Sequence, residues 1–132
     1  MAHPADIRMQ VEGETLAELF EAAVLGMGEI LVPGICMGNR SGKIISEIAL
    51  SAPDVTALLI DFLSEILTRS CEERIIFCRA DFMKIEETTI AAKIYGKKVH
   101  KFEEDIKAVT YHEAEVKKDE NGKWKTVVIF DI

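Results

Sequence analysis

Pro53-Asp54-Val55-Thr56-Ala57-Leu58-Leu59-Ile60-Asp61-Phe62-Leu63-Ser64-Glu65-Ile66-Leu67 is the stretch whose reading decides the fold. Val55, Leu58, Leu59, Phe62, Leu63, Ile66 and Leu67 recur at the three- and four-residue intervals of a helix with one broad buried face. Upstream, Thr15-Leu16-Ala17-Glu18 has capping-box spacing, with Thr15 as N-cap and Glu18 three residues on. Leu16, Leu19, Phe20, Ala23, Val24 and Met27 follow as one helical stripe, which reads as sheet-facing core. Outward from these two helices the pattern is β. Ile7 to Val11 alternates apolar and polar, as a strand with one buried face does, and Glu12-Gly13-Glu14 reads as a turn. Pro33 and Gly34 break the first helix, and an irregular segment to Gly42 precedes a strand over Lys43 to Ser51. After Arg74, Ile75 to Phe77, Phe82 to Ile85 and Thr89 to Tyr95 read as short strands, the last ended by Gly96. Lys97 to Asp105 is a charged connection. A final hairpin joins Lys107 to His112 with Val127 to Ile132. Two helices on a mainly antiparallel sheet define an α+β fold, expected as one domain over residues 1–132.

The chain has 132 residues, 48% of them apolar, enough for a sizeable core. Apolar runs are broken by charge, as at Asp61, so no membrane span is expected, and Met1-Ala2-His3-Pro4 does not open a signal peptide. The formal charge of −7 disfavours nucleic acid at long range and points to a basic protein as partner. Cys36, Cys71 and Cys78 form no C-x-x-C pair, and their odd number reads as reduced thiols in a cytoplasmic protein.

Gly38-Asn39-Arg40-Ser41-Gly42-Lys43 is not a phosphate loop. Met37 stands where the first glycine belongs, Ile44 stands where the magnesium-binding hydroxyl belongs, and no helix follows. Asn39-Arg40-Ser41 is a glycosylation sequon, irrelevant without secretion. His3, His100 and His112 are scattered, with no nucleophile context around them.

The end of the sequence is more pointed. Asp131 stands inside the apolar run Val127-Val128-Ile129-Phe130, and with Ile132 read as the last residue its carboxylate adjoins a terminal one. Adjacent anions repel unless a cation or donors compensate. If the first and last strands pair antiparallel, Asp6 meets Asp131 and the Ile132 carboxylate, and three anionic oxygens suit a hard cation such as Ca²⁺ or Mg²⁺. The hairpin register decides the neighbour. A two-residue turn at Asn121-Gly122 sets His112 opposite Asp131, a four-residue loop sets Thr110 there, and a one-residue slip sets neither. A metal-dependent hydrolase on Asp6, Asp131 and His112 would use the same groups, but no general base or nucleophile is evident.

His3-Pro4-Ala5-Asp6-Ile7, Gly13-Glu14-Thr15-Leu16, the helix Leu58 to Leu67, Lys107-Ala108-Val109-Thr110-Tyr111-His112 and Val128-Ile129-Phe130-Asp131-Ile132 together resemble the archease family. The resemblance implies a strand-helix-strand-strand module with a β insertion. It also implies a non-catalytic activator of the RtcB-type tRNA-splicing RNA ligase, promoting ligase guanylylation and multiple turnover. By the same resemblance Asp6, Asp131 and Ile132 are metal ligands, for Ca²⁺ first and Mg²⁺ or Mn²⁺ as alternatives. It also implies that Lys107 is a contact with the ligase or its nucleotide; His112, from the same strand, is read as a second partner contact, and the acidic charge argues against direct nucleic-acid binding. Pro4 departs from the family's usual Thr at that place and removes a backbone N–H and a hydroxyl beside the site. A chaperone-like or scaffold module is the competing reading.

Overall fold

The computed structural model describes residues 6–38 and 42–132. His3 and the Asn39-Arg40-Ser41 sequon lie outside them. The order is β1 (Asp6–Gly13), α1 (Leu16–Leu31), β2 (Ile44–Ser51), α2 (Val55–Glu73), β3 (Ile75–Ile85), β4 (Thr89–Lys98), β5 (Ala108–Thr110), β6 (Lys117–Lys118) and β7 (Trp124–Asp131). All pairings are antiparallel, and they form two sheets. One runs β1-β7-β5, with β6 also on β7; the other runs β2-β4-β3. Both helices pack on strands of both sheets, so one core serves the whole α+β fold.

Each helix starts where its cap dictates. The Thr15 hydroxyl accepts from Glu18 N at 3.1 Å, and the Glu18 carboxylate accepts from Glu14 N at 3.1 Å, which closes the capping box one residue further back than its usual form. Asp54 caps α2 by accepting from Ala57 N at 2.8 Å. Asp54→Ala is expected to cost about 1 kcal/mol of stability, read as a shifted urea midpoint with unchanged slope. On α1 the buried residues include Leu19, Phe20, Ala23, Val24 and Met27; on α2 they include Leu58, Leu59, Phe62, Leu63 and Ile66. Phe20, Phe62 and Phe82 stack around one point, with ring centroids 5.8 to 6.3 Å apart.

Three readings of the sequence are corrected. β1 continues through Glu12 and Gly13 instead of turning there, since both pair with β7. The apparent separate strands Ile75–Phe77 and Phe82–Ile85 are one strand, whose register shifts past Cys78 and again past Met83. Each bulge inserts a residue and inverts the alternation, which makes one strand read as two. Gly96 does not end β4. The strand passes through it to Lys98, and glycine is needed there because a side chain would come within 2.5 Å of Ile75 Cγ2 and 2.9 Å of Ile76 O.

The cysteines differ most from expectation. Cys36 and Cys78 form a disulfide, Cα to Cα 5.3 Å, and Cys71 alone is free and exposed. The bond ties the segment after α1 to the first bulge of β3. Gly28 packs beside it, where a side chain would crowd Ile76 Cγ2 at 3.0 Å and Phe77 O at 3.3 Å.

Candidate functional site

The β1–β7 register places Asp6 opposite Asp131, and both residues are exposed. Ile7, Met9 and Val11 alternate inward against the core, so Asp6, Arg8, Gln10 and Glu12 share the outward face. On β7 that face carries Lys125, Val127, Ile129 and Asp131. Two carboxylates therefore meet across one rung at the end of the sheet, with Ile132 next along the chain. Among the described residues no ion pair or side-chain hydrogen bond engages either carboxylate. Among them, too, no group of three His, Cys, Asp or Glu side chains could hold a metal. A cation at this end would take two side chains and a main-chain oxygen.

Neither His112 nor Thr110 faces Asp131; Ala108 does. The turn closes over Glu120, Asn121 and Gly122, with Asp119 N donating to Lys123 O at 2.8 Å and Gly122 at φ +82°. The Asp119 carboxylate, held below its usual range chiefly by Lys125 and then by the Lys123 N–H, also accepts from Asn121 N. From that turn Lys118 pairs with Trp124 and Lys117 with Lys125. The pairing then slips by three residues before Ala108 meets Asp131. The surplus forms the 111–116 loop. Lys107 stays beside the site through its backbone, its N–H donating to Asp131 O at 2.7 Å. The Lys107 side chain is exposed. His112 is 73% exposed and lies 3.4 Å from Glu113, not at the carboxylate rung.

The 111–116 loop is held at three points. The Tyr111 hydroxyl donates to Asp61 on α2, which pushes the Tyr111 pKa up. Val116 N donates to Thr56 Oγ1 at 3.0 Å. Glu113 takes both ends of the Arg8 guanidinium, Nη1 to Oε2 at 3.0 Å and Nη2 to Oε1 at 2.9 Å. That bidentate pair holds the Glu113 carboxyl below its usual range. Glu113 also sits at φ +57°, where a non-glycine residue costs about 1–2 kcal/mol. Beyond the pair, Glu113, Glu115 and Lys117 overhang Gln10, Glu12, Lys125 and Val127 to enclose a groove of about 650 Å³. Sequence reasoning set Asp6 opposite Asp131, as the register does, but did not pick out Arg8 and Glu113. The signal present was the outward position of Arg8 two residues from Asp6; its partner 105 residues away left none.

The fold and this carboxylate-edged sheet end define a small α+β domain of two helices and two antiparallel sheets. Residues 1–132 match the Archease protein family (MTH1598/TM1083), and the chain belongs to that family. It is 36% identical to the protein archease of Methanosarcina acetivorans, over 100% of this chain and 93% of that protein. To that of Pyrococcus abyssi it is 32% identical, over 98% and 94%. Among solved structures it resembles Methanobacterium thermoautotrophicum protein 1598, with TM-score 0.73, 27% identity, and 100% and 96% coverage. It also shares the fold of a Thermotoga maritima archease, described as a possible chaperone, with TM-score 0.71, 24% identity, and 100% and 94% coverage. No described helix is long and apolar enough to cross a membrane.

Proposed function

We propose that this protein is a non-catalytic activator of an RtcB-type tRNA-splicing RNA ligase, acting in the cytoplasm through protein contact and promoting ligase guanylylation and repeated turnover. Membership of the archease family along the whole chain is the observation that carries this reading. Asp6 and Asp131 face each other across one rung, and Ile132, next in the chain, adds a main-chain oxygen, a donor set suited to a hard divalent cation. Ca²⁺ is the first candidate, then Mg²⁺ or Mn²⁺. Bound there, a cation would neutralise the paired carboxylates and offer open coordination positions to a partner's anionic groups. Lys107, exposed beside that end, and His112, exposed on the 111–116 loop, are the proposed partner contacts. The net charge of −7 suits docking on a basic ligase surface and disfavours direct binding of RNA.

The test is multiple-turnover RNA ligation by the cognate ligase with guanosine triphosphate, with and without this protein. Stimulation is expected, and Asp6→Ala and Asp131→Ala, both at exposed positions, are expected to fold normally and lose at least tenfold of it. No stimulation of an active ligase, with suppressed aggregation of unrelated client proteins, would favour a chaperone, the description given to the Thermotoga protein.

A further inference from the structure

Arg8 is the cation nearest in sequence to the acidic end. It lies two residues from Asp6 on the same outward face, about 6.6 Å along the strand and within an arginine's length of the Asp6–Asp131 rung. Yet both terminal guanidinium nitrogens donate to Glu113 instead. Both side chains are about half exposed, so the pair is free to exchange partners. The competing carboxylates, Asp6 and Asp131, have no ion pair of their own among the described residues.

We infer that Arg8 is a latch with two positions, paired with Glu113 in one and seated on the Asp6 and Asp131 carboxylates in the other, so that the 111–116 loop sets the cation affinity of the acidic end. This rests on the cation reading of that end. While Glu113 holds Arg8, the carboxylates are open to a cation. When a basic partner group takes Glu113, Arg8 is released and fills the cation's place. The coupling is reciprocal: a cation on the carboxylates leaves Arg8 only Glu113 and steadies the loop that carries Tyr111 and His112.

The experiment is calorimetric titration of the intact protein with CaCl₂, for wild type, Arg8→Gln, Glu113→Gln and the double variant. Circular dichroism confirms that each is folded. Glu113→Gln frees Arg8 and is expected to weaken Ca²⁺ binding about tenfold, whereas the same change in the Arg8→Gln background is expected to cost no more than about twofold, the screened effect of one exposed charge. Arg8→Gln alone is expected to bind more tightly than wild type. Equal losses for Glu113→Gln in both backgrounds would overturn the latch, because the charges would then act only by their sum. If neither wild type nor Arg8→Gln takes up Ca²⁺, the cation reading of the end falls, and the latch with it.

Discussion

Reducing the Cys36–Cys78 disulfide is expected to lower stability by about 4 kcal/mol, the loop-closure entropy that a bond across 42 residues removes from the unfolded chain. For a chain of this size that is a fall of about 10–20 °C in melting temperature. The bond joins the segment after α1 to the first bulge of β3, and both sulfurs belong to buried residues. Reductant should therefore act slowly on the folded protein and quickly once it is denatured. Alkylation followed by mass spectrometry checks the premise. Denatured but unreduced protein should take one alkyl group, on Cys71, and after reduction three. In the folded protein burial, and then Asp105, push the Cys71 pKa up, so Cys71 should label more slowly there than once denatured. Three groups before reduction would mean that the purified protein holds free thiols, and reductant would then leave its melting temperature unchanged.

That bond was not legible in the sequence, and the reason is physical. Helix caps and apolar stripes are local. Thr15 with Glu18 and the two buried faces therefore follow from spacings of three or four residues. The Asp6–Asp131 rung was expected on the condition that β1 and β7 pair antiparallel, which they do; alternation excludes a one-residue slip of that register but not a two-residue one. The disulfide depends on where a loop lands after α1, and nothing near Cys36 encodes that. The continuity of β3 was hidden by its bulges, which break the period that marks a strand. The slip between β6 and β5 was hidden likewise. It is set by contacts of the 111–116 loop with Asp61, Thr56 and Arg8, each at least 50 residues away in sequence. What the sequence hid is thus what tertiary contacts decide, and the latch residues Arg8 and Glu113 belong to that set.

Phe62→Ala should cost about 3–5 kcal/mol, because it deletes a fully buried ring and leaves a cavity that rigid neighbours fill only in part. Phe62 projects from α2 between Phe20 of α1 and Phe82 of β3, at 5.8 Å and 5.9 Å between centroids, so its removal loosens three elements at once. Phe62→Leu keeps most of the volume and is expected to cost less than half as much. Urea unfolding of the oxidised proteins gives both values. The two large effects should add, since Phe82 and Cys78 are four residues apart on one strand, about 13 Å. Reduced Phe62→Ala would then lose about 7–9 kcal/mol, as much as many domains of this size have in total. It should be largely unfolded at 25 °C, while oxidised Phe62→Ala and reduced wild type each remain folded. A reduced variant that keeps native circular dichroism and a cooperative transition would show that the aromatic cluster and the disulfide brace the same part of the core.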